Sequence, residues 1–257
     1  MIRIEHLKKA YGKLDVLKDL SLTFEKPGIA AVLGPNGSGK TTLIKSILGM
    51  VIPQSGDIYF DGQPVKNNWA YREQIGYLPQ IARFPDNLKV QELIRFVQSL
   101  RSKNGNPEYF LDYFDLQPYL NKRLGTLSGG TRQKVNLVLA LCYDSPVLIL
   151  DEPTSGLDPV ALVRLKDLLR KEKAAGKIIL VTSHTLDFVQ EMADEILFLL
   201  DGRIHFRGTL AALQQQQGET NLERAIAGIL TGNKLTHNGK VQTPDFRRRI
   251  SDAGFQT

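Results

Sequence analysis

One cysteine, one tryptophan and three methionines are all that 257 residues contain of those types, and each scarcity closes off a class of structure. A lone thiol forms no internal disulfide. Cys142, next to the apolar stretch 135–141, is therefore expected to be a reduced core residue of a cytoplasmic protein. No apolar run reaches the ~18–20 residues of a membrane span. The first residues include Arg3, Glu5, Lys8 and Lys9 where a secretory signal would have an apolar h-region. His6, His184, His205 and His237 pair neither with one another nor with the cysteine at metal-ligand spacing, so no transition-metal centre is expected. The net charge of +6 is unevenly spread: Lys234, Lys240, Arg247, Arg248 and Arg249, against Asp245 and Asp252, carry half of it. The remainder is too small for a nucleic-acid groove without aromatic platforms, and no nucleic-acid partner is expected. The tail 231–257 reads as a solvated basic segment, with attraction to an anionic membrane surface as the sharper alternative.

What is present is the composition of a soluble globular protein, 42% hydrophobic and 23% charged, long enough for one or two domains. Ile2 and Ile4, then Leu20, Leu22 and Phe24, then Ile58 and Phe60 before Asp61-Gly62 alternate as short strands. Val147–Leu150 and Ile178–Thr182 are continuous apolar strands. Between them Leu162, Leu165, Leu168 and Leu169 mark a helix face that stops by Gly176. Such alternation predicts a buried parallel sheet with crossover helices. From about 84 to 145 the pattern changes to helical, with Val90, Leu93, Ile94 and Val97 in one stripe and Phe110, Leu111 and Phe114 in another. This predicts an inserted helical subdomain whose core includes Tyr109, Tyr113 and Tyr119. Gln214 to Gln217 reads as a linker or frayed helix end, and Leu222, Ala225, Ile226 and Ile229 as one more amphipathic helix. The last ~20 residues lack periodicity and are expected to be mobile.

The most informative stretch is Gly34-Pro35-Asn36-Gly37-Ser38-Gly39-Lys40-Thr41-Thr42. A strand-like run, Ile29 to Leu33, leads in, and Leu43, Ile44, Ile47 and Leu48 follow at helical spacing. Glycines there let successive N–H groups and the helix N-terminus face an anion. Lys40 adds a charge for the β- and γ-phosphates, and the Thr41 hydroxyl can ligate Mg²⁺. The chain is expected to bind a nucleoside triphosphate.

Two further motifs complete the pattern. Val147-Leu148-Ile149-Leu150-Asp151-Glu152-Pro153 ends a buried strand in adjacent carboxylates. Beside a phosphate loop, Asp151 can hold the hydrated metal ion, and Glu152 can polarise an attacking water. Leu127-Ser128-Gly129-Gly130-Thr131-Arg132-Gln133-Lys134 opens a helical run and forms a second anion cradle. One triphosphate per chain needs only one cradle, so the second points to a head-to-tail dimer that shares its sites.

The phosphate loop, the Leu127–Gly130 signature and the Asp151-Glu152 strand stand in the order and spacing of the ATP-binding-cassette (ABC) family. Over about residues 1–225 the chain resembles the nucleotide-binding subunit of an ABC transporter. The resemblance implies an α/β fold: a RecA-like parallel core, an antiparallel β subdomain and an inserted helical subdomain. It places the cassette at 1–230 and the basic tail at 231–257, and it implies ATP and Mg²⁺ as cofactors. Tyr11 resembles the aromatic that stacks on adenine, and Gln80 the glutamine that senses Mg²⁺ and γ-phosphate. Asp158, in Ser155-Gly156-Leu157-Asp158, resembles the loop that communicates between the paired sites. His184, after Ile178–Thr182, resembles the switch histidine. Ser128, Gly129 and Gly130 would contact the ATP of the opposite subunit. Thr131 departs from the usual glutamine and Lys134 from a common arginine, which bears on partner-site geometry and not on ATP binding.

Two segments narrow the resemblance. Thr131-Arg132-Gln133-Lys134 and Ile81-Ala82-Arg83-Phe84-Pro85, directly after Gln80, resemble the ATPase of the Nos system, which matures nitrous oxide reductase. That implies membrane permease subunits, a periplasmic accessory protein and a peripheral place on the inner face of the cell membrane. Copper would be handled by partners. A general drug, lipid or ion exporter is the alternative. A soluble ATPase acting on DNA or ribosomes would need a coiled-coil insertion or second cassette, for which the 48 positions from Gln80 to Ser128 leave no room.

Overall fold

The computed structural model describes residues 1–102 and 105–231 of the chain. The basic cluster from Lys234 to Arg249, and the mobility expected of the last residues, lie outside them. The chain divides into two compact units, the first Met1–Leu210 and the second beginning at Ala211.

In the first unit, β1 (Ile2–Tyr11) and β2 (Leu14–Phe24) pair antiparallel, Ile2 opposite Phe24. β1 also pairs with a later strand, Ser55–Phe60, extended by the short Gln63–Pro64. Between them in the chain come β3 (Gly28–Leu33) and α1 (Lys40–Ile47), so Ser55–Phe60 is β4 and Gln63–Pro64 is β5. The small sheet runs β2-β1-β4-β5. Its alternating Ile2, Ile4, Leu20, Leu22, Phe24, Ile58 and Phe60 are buried, as the period of two requires.

β6 (Ile75–Leu78), β7 (Val147–Asp151), β8 (Ile178–Thr182), β9 (Glu195–Leu200) and β10 (Arg203–Gly208) join β3 in a second sheet, ordered β10-β9-β3-β8-β7-β6. All its pairings are parallel except β9 with β10. Every residue of β7 and β8 is buried, which explains their unbroken apolar sequence: both faces are covered. Val147, Ile149 and Leu180 pack toward α1 and the small sheet. Leu148, Leu150, Ile179 and Val181 pack toward the helices. Each such side chain contributes about 1.5–3 kcal/mol of burial.

Those helices are α2 (Val90–Ser99), α3 (Pro107–Tyr113), α4 (Gly129–Leu141), α5 (Pro159–Ala174) and α6 (Leu186–Met192). Local chemistry sets their starts. Glu92 Oε2 accepts the Lys89 N–H at 2.8 Å ahead of α2, and Asn106 Oδ1 accepts the Tyr109 N–H at 3.2 Å ahead of α3. Phe110 and Phe114 are buried in the helical core, but Tyr109 is 45% exposed, so that aromatic group is only partly internal. Cys142 caps α4 as a buried free thiol, and burial pushes its pKa up to about 11, which keeps it protonated.

The second unit contains α7 (Leu210–Gln217) from its second residue onward, and α8 (Leu222–Thr231). Gln214 to Gln217 form the last turn of α7. Among the described residues no helix is long and apolar enough to cross a membrane.

Candidate nucleotide site

The loop from β3 to α1 fixes the first part of the site. Gly34 has φ +148°, and a Cβ there would lie 2.0 Å from the Leu199 carbonyl oxygen of β9 and 2.7 Å from Ser38 Oγ. Only glycine lets the loop pass so close to the sheet. Gly37, at φ +80°, would hold its Cβ in open space, so the outer face of the loop is free. Lys40 Nζ donates to the carbonyls of Gly34 at 2.7 Å and Pro35 at 3.0 Å. Burial lowers its pKa, while the charges of Glu152 and Asp151 work against that. Ser38 Oγ is buried with no hydrogen-bond partner.

The carboxylates come from the C-terminal end of β7. Asp151 is 4% exposed, and its Oδ1 accepts from the Thr182 hydroxyl on neighbouring β8. Glu152 follows in left-handed backbone, φ +52°, and its N–H bonds the Thr182 carbonyl at 3.2 Å and hydroxyl at 3.1 Å. Glu152 Oε2 accepts the His184 N–H at 3.2 Å. His184 Nε2 lies 3.2 Å from Oε1 but makes no hydrogen bond with it, so that buried oxygen has no donor. Burial raises the Glu152 pKa, and the His184 N–H opposes the rise.

These groups meet in one cavity of about 230 Å³, lined by Asn36 to Thr42, Gln80, Asp151, Glu152 and His184. Val16 and, unsignalled by the sequence, Leu14 of β2 add an apolar edge. Gly34 and Pro35 sit behind Lys40 as its carbonyl acceptors. Tyr11 is 50% exposed and does not line the cavity; Lys9 Nζ lies 5.0 Å from its ring centre. The donor set suits an anion: an ammonium, the N-terminus of α1 and a free loop face. The unpartnered Ser38 Oγ and Glu152 Oε1 are groups that a bound phosphate and an attacking water would satisfy. Thr41, Gln80 and Asp151 offer hydroxyl, amide and carboxylate oxygen, the hard donors Mg²⁺ takes. A larger cavity, about 520 Å³, lies beside the N-terminal ends of the parallel strands near Lys26, Asp194 and Arg207, and shares none of these residues. Ligands of such sheets bind at the C-terminal ends.

The second cradle is elsewhere. Ser128 caps α4, its Oγ accepting the Thr131 N–H at 3.2 Å and lying 2.9 Å from Thr131 Oγ1. Neither Ser128, Gly129 nor Gly130 lines the cavity. The signature is tied to the Ser155–Asp158 loop. A Cβ on Gly130 would lie 2.5 Å from the Gly156 carbonyl, and Lys134 Nζ pairs with Asp158 Oδ2 at 3.4 Å. Asp158 Oδ1 also caps α5 through the Ala161 N–H at 2.8 Å. Gln133 Nε2 makes long contacts of 3.5 and 3.4 Å with the Glu152 and Pro153 carbonyls. Sequence analysis gives neither Gln133 nor Thr182 a role of its own in the site. Only a polar residue closing an apolar strand signalled Thr182.

The profile of the ABC transporter family matches residues 17–155. The Nod factor export ATP-binding protein I of Burkholderia lata is 32% identical over 222 residues, 84% of this chain and 73% of that protein. The lantibiotic transport ATP-binding protein SrtF of Streptococcus pyogenes is 31% identical over 234 residues, covering 87% and 94%. A solved ATP-binding subunit of an ABC transporter is 28% identical, covers 90% of this chain and 99% of its own, and superposes with a TM-score of 0.83. A bacterial ABC transporter cassette solved as a dimer matches in fold at a TM-score of 0.75 and 23% identity, over 82% of this chain and 99% of its own.

Proposed function

The chain belongs to the ABC transporter family as an ATP-binding, ATP-hydrolysing subunit, and from that premise we propose that it works as a head-to-tail pair driving a membrane permease from the inner face of the membrane. In this reading the cassette takes in residues 1–230. Lys40, the Thr41 and Thr42 amides and the N–H groups of Gly37 to Gly39 bind and orient the phosphates. Glu152, ionised, takes a proton from the attacking water, with its carboxylate held by the His184 N–H. Thr41, Gln80 and Asp151 would hold Mg²⁺, which when bound neutralises charge on the phosphate oxygens. Tyr11 is assigned to the adenine side. Its exposed ring, outside the phosphate cavity, is available for stacking.

One observation carries the dimer. Glu152, Lys40, Gln80 and His184 share a cavity, whereas the built cradle at Ser128–Gly130 stands outside it, joined to Asp158. A second copy turned head to tail would supply that cradle to the first. Turnover per chain should rise with chain concentration, and light scattering should show a dimer in Mg-ATP. A monomer with concentration-independent turnover would overturn the pairing.

The permease is assigned to the segment after Gln80. Ile81 is 67% exposed, while Phe84 packs against the helical core. Between them and α4 lies a cavity of about 320 Å³, where Arg132 Nε and Asn136 Oδ1 are buried and unpaired. Ile81→Asp should weaken co-purification with the permease and leave the isolated ATPase folded and active; normal co-purification would count against this docking face.

For cargo, the Thr131–Lys134 and Ile81–Pro85 segments support the nitrous oxide reductase maturation system, with copper and sulfur chemistry left to permease and periplasmic partners. The second reading is a general exporter, favoured by relatives named for Nod factor export and lantibiotic transport.

A further inference from the structure

β7 and β8 lie side by side with Asp151 opposite Thr182, and both strands end there. Thr182 is fully buried, so its hydroxyl must find partners inside the protein. It finds two. Oγ1 donates to Asp151 Oδ1 and accepts the Glu152 N–H at 3.1 Å, while the Thr182 carbonyl takes the same N–H at 3.2 Å. Glu152 holds φ +52°, a conformation that a non-glycine residue keeps only where its surroundings impose it. Two residues further along, the His184 N–H binds Glu152 Oε2. The end of β8 therefore grips Glu152 twice, by its backbone through Thr182 and by its carboxylate through His184. A hydroxyl is needed for the first grip, because it alone donates to one carboxylate while accepting the next residue's amide.

We infer that Thr182 is a positioning residue for ATP hydrolysis, its hydroxyl fixing the Asp151 carboxylate and the left-handed Glu152 as one unit. The inference rests on the assignment of Asp151 and Glu152 to the hydrolytic site. Thr182 does not line the cavity, so its loss should act on turnover through those two residues and spare ATP binding.

Thr182→Val keeps the shape and removes the hydroxyl, and Thr182→Ser keeps the hydroxyl and removes the methyl. The valine variant should lose about 10–100-fold in kcat, a range set by small misplacements of reacting groups. Its half-activating Mg²⁺ concentration should rise, and its Kd for ATP in EDTA should stay within about twofold of the parent. The serine variant should recover most of the turnover. A valine variant with parental kcat and Mg²⁺ dependence would overturn the proposal, as would a serine variant as damaged as valine, since packing would then be the cause. If thermal melting shows valine unfolded, Thr182→Cys, similar in size but a weak donor, takes its place against serine under the same expectations. Glu152→Gln measured in parallel separates the two layers. Undiminished turnover there removes the site assignment and this inference with it. An inactive Glu152→Gln beside a fully active Thr182→Val removes the role of Thr182 alone.

Discussion

Among single residues, the proposed general base Glu152 carries a prediction in pH. Burial holds its carboxyl above the ordinary 4.5, with the like charge of Asp151 adding to the rise and the His184 N–H opposing it. A general base works ionised, so kcat should fall on the acid side at a pH above that of an exposed glutamate. An acidic limb at or below 4.5 would contradict the assignment. Stability follows the same sign: a raised folded pKa contributes stability below the unfolded value and loses it as pH rises through the folded one. Glu152→Gln should therefore melt above the parent at pH 8, with the gap closing toward pH 4. The same variant should keep its ATP affinity, lose at least about 10²-fold in turnover and accumulate as an ATP-held dimer. Sizing chromatography in Mg-ATP checks this, and a monomer with undiminished turnover would remove Glu152 from the role.

At the level of elements, the phosphate loop separates two glycines that look alike in sequence. Gly34→Ala forces a methyl against the β9 carbonyl, which should cost about 1–3 kcal/mol on top of the strain of its positive φ, or prevent folding. Gly37→Ala meets nothing, so the apo protein should lose only about 1–2 kcal/mol for the left-handed backbone. Its ATP affinity should fall instead, because the methyl covers the face open to phosphate. Denaturant titration with and without nucleotide distinguishes the two, and equal apo losses would count against this reading of the loop. The same contrast shows what sequence discloses. β7 and β8 were legible because strands buried on both faces read as unbroken apolar runs, and α5 because Leu162, Leu165, Leu168 and Leu169 recur at helical spacing within its 16 residues. β6, with four residues, and α6, with seven, are too short for a period to stand out. β10, whose Arg203, His205 and Arg207 are exposed, hides its strand character in charge. Tyr109 had the right residue type for a core and the wrong side of α3. Lys40, Gln80, Asp151, Glu152 and His184, each singled out by a motif, line one cavity. The contacts of Thr182 and Gln133 were hidden, because they depend on the β7–β8 register and on where α4 meets the turn after β7.

For the whole molecule, a site divided between two copies predicts complementation. Lys40→Ala should disable the cavity of its own chain. Gly129→Asp, at a position where a Cβ meets nothing within 4 Å, should fold normally and place a negative charge in the cradle offered to the partner. Mixing the two inactive variants should rebuild one intact site and restore part of the turnover. No rescue in a confirmed dimer would argue against the head-to-tail arrangement. Within the living cell, the proposed role in reductase maturation leaves the copper and sulfur chemistry to permease and periplasmic partners. The ATPase would then supply only energy, and its loss should stop a late assembly step without stopping export of the apo-enzyme. Cells carrying Glu152→Gln should export the reductase polypeptide and leave its copper–sulfide centre unbuilt, even with abundant copper. Metal analysis and absorption spectroscopy of reductase purified from those cells decide the matter. A fully loaded, active enzyme would reject the maturation role and leave the general exporter as the proposal that stands.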